Sequence, residues 1–230
     1  MSIDTGHSDL IHDAQLDYYG RRIASASSDG TIRIFSLNQP STSPSTTSAS
    51  THTTGNTNNP TSSSASSSAS ASASSSPSST LVATLTGHGG PVWQICWAHP
   101  KYGSLIASAS YDRTVRLWKE EATGVWRNIY THAVHELSVN SIDFVHPDFG
   151  LALGAASSDG NVSILTCSPQ TGTWSSSSFV AHQIGVNAIS FAPPSVGGWL
   201  GTDSAADTAA PPRLRFATGG GGNPLQNLGE

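Results

Sequence analysis

Charged residues are scarce in this chain, and cysteines, basic clusters and long apolar runs are few or missing. Asp, Glu, Lys and Arg make up 11% of 230 residues, and 10 basic against 15 acidic side chains leave a net charge of −5. Contacts to nucleic-acid phosphates need clustered Lys and Arg, so this composition disfavours direct nucleic-acid binding. No apolar run reaches the roughly 18 residues of a membrane-spanning helix.

The two cysteines, Cys96 and Cys167, are too few for a disulfide framework or a cysteine zinc site. The N-terminal residues also lack the basic and apolar regions of a secretory signal. We therefore expect a soluble protein of a reducing compartment.

A low-complexity segment interrupts the chain after its first forty residues. Residues 41–80 hold 27 Ser or Thr out of 40 and no charged side chain. Such a segment has too little apolar surface to offset the entropy lost on ordering, so we predict a disordered insert over 39–80. Its simplest role is that of a spacer, and regulation by phosphorylation is the alternative. The rest of the chain is long enough for one modest core.

The remaining sequence contains a repeat of 47 residues. His88, His135 and His182 follow one another at this spacing. A stretch of alternating apolar residues begins five residues after each histidine, and strict alternation is the pattern of a half-buried β-strand. No segment has a convincing helical period, so the repeat predicts units of several short antiparallel strands.

Each of the first three copies also carries a turn carboxylate: Asp29, Asp112 or Asp159. The Asp-Gly pairs at 29–30 and 159–160 are strong hairpin signals, and a further strand follows each carboxylate. The fourth copy is irregular, with about 16 extra residues around 197–212 and Gly222 where the carboxylate is expected. Its third strand is predicted to be missing or degenerate.

The histidine, the turn Asp and a Trp six residues beyond it resemble the repeat of WD-repeat β-propellers. In that family His, Ser, Asp and Trp side chains form a hydrogen-bonded set that joins the strands of one blade and satisfies buried polar groups. The resemblance assigns this structural role to His7, Ser25 and Asp29; to His88, Ser108, Asp112 and Trp118; to His135 and Asp159; and to His182. In the third copy Ala155 and Leu165 interrupt the set, so we expect the side-chain hydrogen bonds that join the strands to be weaker there.

The fold predicted from this resemblance is all-β: a WD40-type propeller with about four blades of a six-bladed open ring. The predicted boundaries are a first blade at 1–38, the insert at 39–80, blades two to four at 81–222 and an irregular tail at 223–230.

Several segments, among them 11–20, 98–103 and 156–160, resemble one propeller family more closely. These are the Sec thirteen subunits, shared by the outer coat of COPII vesicles and the Y-shaped scaffold of the nuclear pore. In that family the open six-bladed propeller accepts a seventh blade from a rod-like partner by strand addition. The resemblance implies a scaffold subunit of ER-to-Golgi protein transport and of mRNA and protein transport through the pore. It would lie at the cytoplasmic face of the endoplasmic reticulum, on COPII vesicles and at the nuclear envelope, reaching the membrane only through the coat.

Two departures from that family bear on this reading. The insert is placed between the first and second blades, and the sequence accounts for four blades where the family has six. A truncated or mis-spliced product would leave sheet edges exposed, so we expect aggregation and weak partner binding from it. The alternative function is a generic WD-repeat adaptor, for instance a substrate receptor of a ubiquitin ligase.

Enzymatic chemistry is not indicated, and no catalytic residue, cofactor site or metal site is predicted. The repeat explains three of the nine histidines, and a repeated His-Pro turn explains His99 and His146. His132 and His135 have a spacing that zinc accepts, but no Cys or acidic partner recurs beside them. The Gly run at 219–222 precedes neither a helix nor a Lys-Ser pair, so it does not read as a phosphate-binding loop.

Overall fold

The computed structural model describes residues 2–37, 79–194 and 214–221, together with the backbone of 223–226. Fifteen β-strands and two single-turn 3-10 helices make up the regular structure of these residues, which confirms the all-β prediction. No helix in the described ranges is long and apolar enough to cross a membrane.

The strands are named in chain order. They are β1 (Ile11–Leu16), β2 (Arg22–Ser27), β3 (Ile32–Leu37), β4 (Ser79–Leu85), β5 (Val92–Trp97), β6 (Leu105–Ser110), β7 (Val115–Ala122), β8 (Val125–His132), β9 (Val139–Phe144), β10 (Ala152–Ser157), β11 (Asn161–Cys167), β12 (Trp174–Val180), β13 (Val186–Phe191), β14 (Phe216–Gly220) and β15 (Asn223–Gln226). The 3-10 helices span Pro100–Tyr102 and Pro147–Phe149.

Consecutive strands form four antiparallel sheets that follow one another along the chain. The first three sheets are β1–β4, β5–β8 and β9–β12, and the fourth is β13–β15. Tight turns join the second and third strands, where Gly30 and Gly160 have φ angles of 77° and 88°, a region that glycine enters without strain. Arg113 takes the same left-handed conformation in the second sheet, with φ 72°. The four sheets are the blades of a partial propeller.

The prediction that the insert lies between the first and second blades is wrong. Strand β4 begins at Ser79, inside the range predicted as insert, and pairs with β3 so that Leu37 lies opposite Ser79 and Ile32 opposite Leu85. The Ser/Thr-rich segment therefore interrupts the hairpin between the third and fourth strands of the first sheet, and does not separate two blades. Lengthening such a connection costs little, because closure entropy grows slowly with loop length. The rest of the predicted insert and the predicted irregular loop around 197–212 lie outside the described residues.

The predicted irregular tail at 223–230 also needs correction, because it contains a strand. β15 pairs with β14, with Asn223 opposite Gly220 and Gln226 opposite Thr218. The fourth copy therefore has its third strand. Strand pairing relies on backbone groups, so it does not require alternating apolar side chains.

Successive sheets stack face to face, with their first strands in contact. Each of the three joints between neighbouring sheets encloses one apolar cluster. The first joint, between the first and second sheets, buries Ala24, Ala26, Ile32, Ile34, Leu85, Val92, Ile95, Ile106 and Trp118. The core is thus divided among joints, and each sheet depends on its neighbours for burial.

Candidate functional site

The second sheet contains the predicted set of four side chains in one connected chain. His88 donates from Nδ1 to Asp112 Oδ2 at 2.8 Å, and its Nε2 accepts from the hydroxyl of Ser108 at 2.7 Å. Trp118 Nε1 donates to the same hydroxyl oxygen at 2.9 Å. These contacts tie the loop before β5 to β6 and β7, so side chains as well as the ladder connect these parts of the sheet.

The first sheet repeats this geometry without the Trp. His7 Nδ1 lies 2.9 Å from Asp29 Oδ2, and its Nε2 lies 2.9 Å from Ser25 Oγ. Thr31 adds a contact that the sequence analysis missed, donating its hydroxyl to Asp29 Oδ1 at 2.6 Å. Phe35, at the position of Trp118, has no donor with which to extend the set.

The turn carboxylates are held in their charged form. Burial raises the pKa of Asp29 and of Asp112, but hydrogen bonds from the neighbouring Thr and His side chains and from backbone amides outweigh it. The pKa of each therefore lies well below its usual range. The pKa of Asp159 is also lowered. Burial raises it, but hydrogen bonds from the amides of Asn161 and Glu136 and from the side chain of His135 outweigh that effect. A charged acceptor opposite His Nδ1 makes these strong hydrogen bonds.

The third sheet does not show the expected interruption. His135 donates to Asp159 at 3.0 Å, and its Nε2 accepts from Ser163 Oγ at 2.9 Å. Ser163 lies on β11, opposite Ala155 in the ladder, and reaches the histidine from the neighbouring strand. Its hydroxyl also bonds Ser178 Oγ of β12 at 2.7 Å, so the set extends to the outer strand of the sheet.

The fourth sheet keeps only part of the set. His182 Nε2 lies 3.0 Å from Thr218 Oγ1, and Thr218 takes the place that Ser108 has in the second sheet. His182 is 7% exposed. Gly222, where the repeat predicts the carboxylate, lies outside the described residues.

A second hydrogen-bond system, which the sequence analysis missed, connects one sheet to the next. Side chains on the first strand of one sheet accept from a backbone N–H on the first strand of the following sheet. We call Asp13, Gln94 and Ser141 the joint acceptors. They accept from Ile95 N at 3.0 Å, from Ile142 N at 2.7 Å and from Ile189 N at 3.3 Å, respectively. The three positions are equivalent in the repeat, but different side chains occupy them, so no repeated letter revealed them.

The remaining histidines considered in the sequence analysis do not form a common site. His99 and His146 cap the two 3-10 helices by accepting from the amides of Lys101 and Asp148. His132 is 1% exposed, and no described atom bonds its Nε2. Burial, and next to it the neighbouring His135, lowers the pKa of His132 to about 4. No group of three or more His, Cys, Asp or Glu close enough to hold a metal occurs in the described ranges.

The first sheet has two different faces. Its covered face, which carries Ala24, Ala26, Ile32 and Ile34, packs against the second sheet and is fully buried. On the opposite side, Leu16, Ile23, Phe35 and Leu81 lie next to one another across all four strands, since each is paired with the next in the ladder. We call this row the open face. Leu16 is 55% exposed and Leu81 52%, whereas Phe35 between them is 4% exposed, so the two outer members of this apolar row lack a cover among the described residues.

The sequence is similar to known families over these same sheets. The family model described as "WD domain, G-beta repeat" matches residues 1–36 and 79–119, which form the first sheet and most of the second. "Protein transport protein SEC13" of Yarrowia lipolytica is 43% identical over 140 residues, which cover 61% of this chain and 34% of the relative. "Protein SEC13 homolog" of Drosophila melanogaster is 41% identical over 144 residues, covering 63% and 30%. "Protein transport protein SEC13 homolog A" of Arabidopsis thaliana is 41% identical over 126 residues, covering 55% and 30%. The chain thus spans about a third of the length of the curated relatives it matches.

Proposed function

We propose that this SEC13-like WD-repeat propeller is a structural scaffold subunit in vesicle-mediated protein transport, and not an enzyme. The relatives that its repeats resemble are named protein transport proteins, and that name supports the assignment. Its sheets offer interaction surfaces held rigid by hydrogen-bonded sets. The open face of the first sheet is the observation that carries the proposal.

The partner in this proposal is a rod-like coat subunit that adds a blade to the propeller. At each described joint between two sheets, the earlier sheet covers the row of the later sheet that is equivalent to the open face. The row on the second sheet, Trp97, Ile106 and Trp118, packs against the first sheet, with Ile106 0% and Trp118 5% exposed. A sheet donated by a partner would cover Leu16 and Leu81 in the same way. Burial of such side chains contributes about 1.5–3 kcal/mol each when complete.

The proposal places the protein at the cytoplasmic face of the endoplasmic reticulum and on COPII vesicles, through the coat. A second assignment, to the Y-shaped scaffold of the nuclear pore, uses the same surface with a different rod-like subunit. The net charge of −5 supports a protein partner over nucleic acid in both places.

Co-expression tests the proposal most simply. The chain is produced with the rod-like COPII subunit, with the corresponding nuclear pore subunit, or with a ubiquitin-ligase scaffold, and each mixture is run on size-exclusion chromatography with light scattering. A monodisperse one-to-one complex with a coat or pore subunit would support the proposal, and it would contradict the aggregation and weak partner binding expected of a truncated product. A complex with the ligase scaffold alone would show that the protein is a general adaptor and would overturn the proposal.

A further inference from the structure

At one end of the first three sheets, the loop between the first and second strands contacts the same loop of the following sheet. These loops are residues 17–21, 98–104 and 145–151. Each contains a glycine nine residues before the turn carboxylate, and this spacing aligns the three loops. The alignment makes Tyr19 equivalent to Tyr102, and Tyr18 equivalent to Lys101.

Between the second and third sheets, two side chains close the contact on one carbonyl. Lys101 Nζ and the hydroxyl of Tyr102 both donate to the backbone oxygen of Pro147, the hydroxyl at 3.2 Å. The ammonium also lies 5.0 Å from the centre of the Tyr102 ring, a distance at which the face of a ring attracts a cation. The carbonyl of Pro147 thus binds an ammonium group from the neighbouring sheet.

Between the first and second sheets, the equivalent place is a cavity of about 190 Å³. Residues of both loops and of the strands behind them line it: Asp17, Tyr18, Tyr19, Arg22, Trp97, Ala98, Pro100, Gly103 and Ser104. The carbonyl of Pro100, the equivalent of Pro147, accepts from the amide of Gly103 at 3.0 Å but from no described side chain. Tyr18 stands where the second sheet has its lysine, so the first sheet has no ammonium for this carbonyl.

The cation in the wall of the cavity is already neutralised. The guanidinium of Arg22 donates to Glu120 at 2.8 Å and to Ser104 at 2.8 Å, and its Nε lies 3.5 Å from Asp17. Two carboxylates therefore face one guanidinium whose nitrogens all have acceptors, so it offers little attraction to an anion. Arg21, the adjacent cation, does not line the cavity.

We propose that this cavity binds a lysine side chain of another polypeptide. The ammonium takes the place that Lys101 has between the second and third sheets. It donates to the carbonyl of Pro100 and lies beside the rings of Tyr18 and Tyr19, while its aliphatic stem packs along Trp97. A carbonyl oxygen only accepts hydrogen bonds, so the site suits an ammonium and not a carboxylate or phosphate.

The 230 residues do not supply this ammonium themselves. They contain two lysines: Lys101 is held at the third sheet, and Lys119 interacts electrostatically with Cys167, also in the third sheet. Strand β3 ends beside the cavity, since the amide of Leu37 donates to a carbonyl of the first loop. The chain continues from there into residues 38–78, which contain neither Lys nor Arg. The occupant is therefore a lysine of a different molecule.

Peptide titration tests the site in the unmodified chain. The probes are the amidated tripeptide acetyl-Ala-Lys-Ala, the same peptide with Nε-acetyllysine, and the same peptide with arginine. Each is added to the ¹⁵N-labelled chain, and two-dimensional NMR follows the amide of Gly103 and the indole N–H of Trp97.

The lysine peptide should shift both signals and bind at least about tenfold tighter than the acetyllysine peptide, because acetylation removes the charge and two of the three donors. Equal binding of these two peptides, or no shift of either signal, would overturn the inference. Tighter binding of the arginine peptide would refute the assignment to lysine.

A variant that supplies the missing ammonium tests the same site from within the chain. Tyr18→Lys gives the first loop the Lys-Tyr-Gly order of residues 101–103, so its own ammonium should occupy the cavity and weaken binding of the lysine peptide at least about tenfold. Tyr111→Lys is the matched control, because Tyr111 is 61% exposed against 68% for Tyr18 and lies in the turn at the opposite end of β6. The control should stay within about twofold of the unmodified chain.

Equal affinities of the two variants would also overturn the inference. The cavity contains no residue of the open face, so these peptide measurements and the co-expression with rod-like subunits succeed or fail independently.

Discussion

The two faces of the first sheet are built from the same four strands and have opposite surroundings. On the covered face Ala24 and Ile34 are 0% exposed, whereas on the open face Leu16 is 55% exposed and Leu81 is 52% exposed. Both sides of the sheet carry an apolar row, whereas in an antiparallel sheet with one side in water the solvated side is usually polar. The comparison shows that the first sheet has the composition of a sheet covered on both sides.

The comparison also separates residues that fold the protein from residues that bind. Covered positions contribute their burial energy in the isolated chain, and open positions contribute it only when a partner covers them. Substitutions on the two faces should therefore change different measurements.

The largest expected effect on stability is that of Ile34→Ala on the covered face. Loss of a fully buried isoleucine should lower the free energy of unfolding by about 2–5 kcal/mol. Leu81→Ala on the open face should cost less than about 1 kcal/mol, because half of that side chain is in water already. Urea denaturation of the two variants measures both values, and similar losses would mean that the open face is covered in the isolated chain.

The hydrogen-bonded sets extend the comparison, because they connect loops and strands within one sheet and include no residue of the open face. Asp29→Ala, Asp112→Ala and Asp159→Ala should each lower the free energy of unfolding by about 1–3 kcal/mol, the cost of leaving a buried histidine without its acceptor. Asp148→Ala, at an exposed carboxylate, is the control, with an expected change within about 0.5 kcal/mol. A much smaller loss at Asp159 than at Asp112 would show that Ser163 does not replace the missing Ser of the third sheet.

Acid should destabilise the fold through His132, a buried histidine at the end of β8. Its pKa is lowered to about 4 in the folded chain, so between that value and its ordinary value near 6.5 the unfolded chain binds the proton more tightly. Stability is then fully present above pH 6.5 and falls as the pH drops towards 4, with a loss of about 2 kcal/mol at pH 5. Thermal melts at pH 8 and pH 5 measure the loss, and His132→Leu should reduce it. An undiminished loss in that variant would assign the acid sensitivity to other groups.

The sequence predicted those features that are repeated as identical letters. The 47-residue spacing of His88, His135 and His182 led to the four sheets, and the Asp-Gly pairs led to their turns. Ser163 was not predicted, because it bonds the histidine from β11, whereas Ser108 bonds its histidine from the second strand. The spacing of residues along the chain does not show which side chains of neighbouring strands meet. Asp13, Gln94 and Ser141 escaped because one task, accepting an N–H, is performed by three residue types. The place of the insert escaped because local alternation in 79–85 does not tell which strand it pairs with.

The most direct test of the open face compares two leucines of equal exposure. Leu81 and Leu137 are both 52% exposed, but Leu137 lies in the loop between the second and third sheets, away from the open face. The affinity of the rod-like coat subunit is measured for the unmodified chain, Leu81→Asp and Leu137→Asp. The account predicts a loss of about a hundredfold for Leu81→Asp, because docking would bury an unpaired carboxylate, and no more than about a twofold change for Leu137→Asp. Equal affinities of the two variants would contradict it.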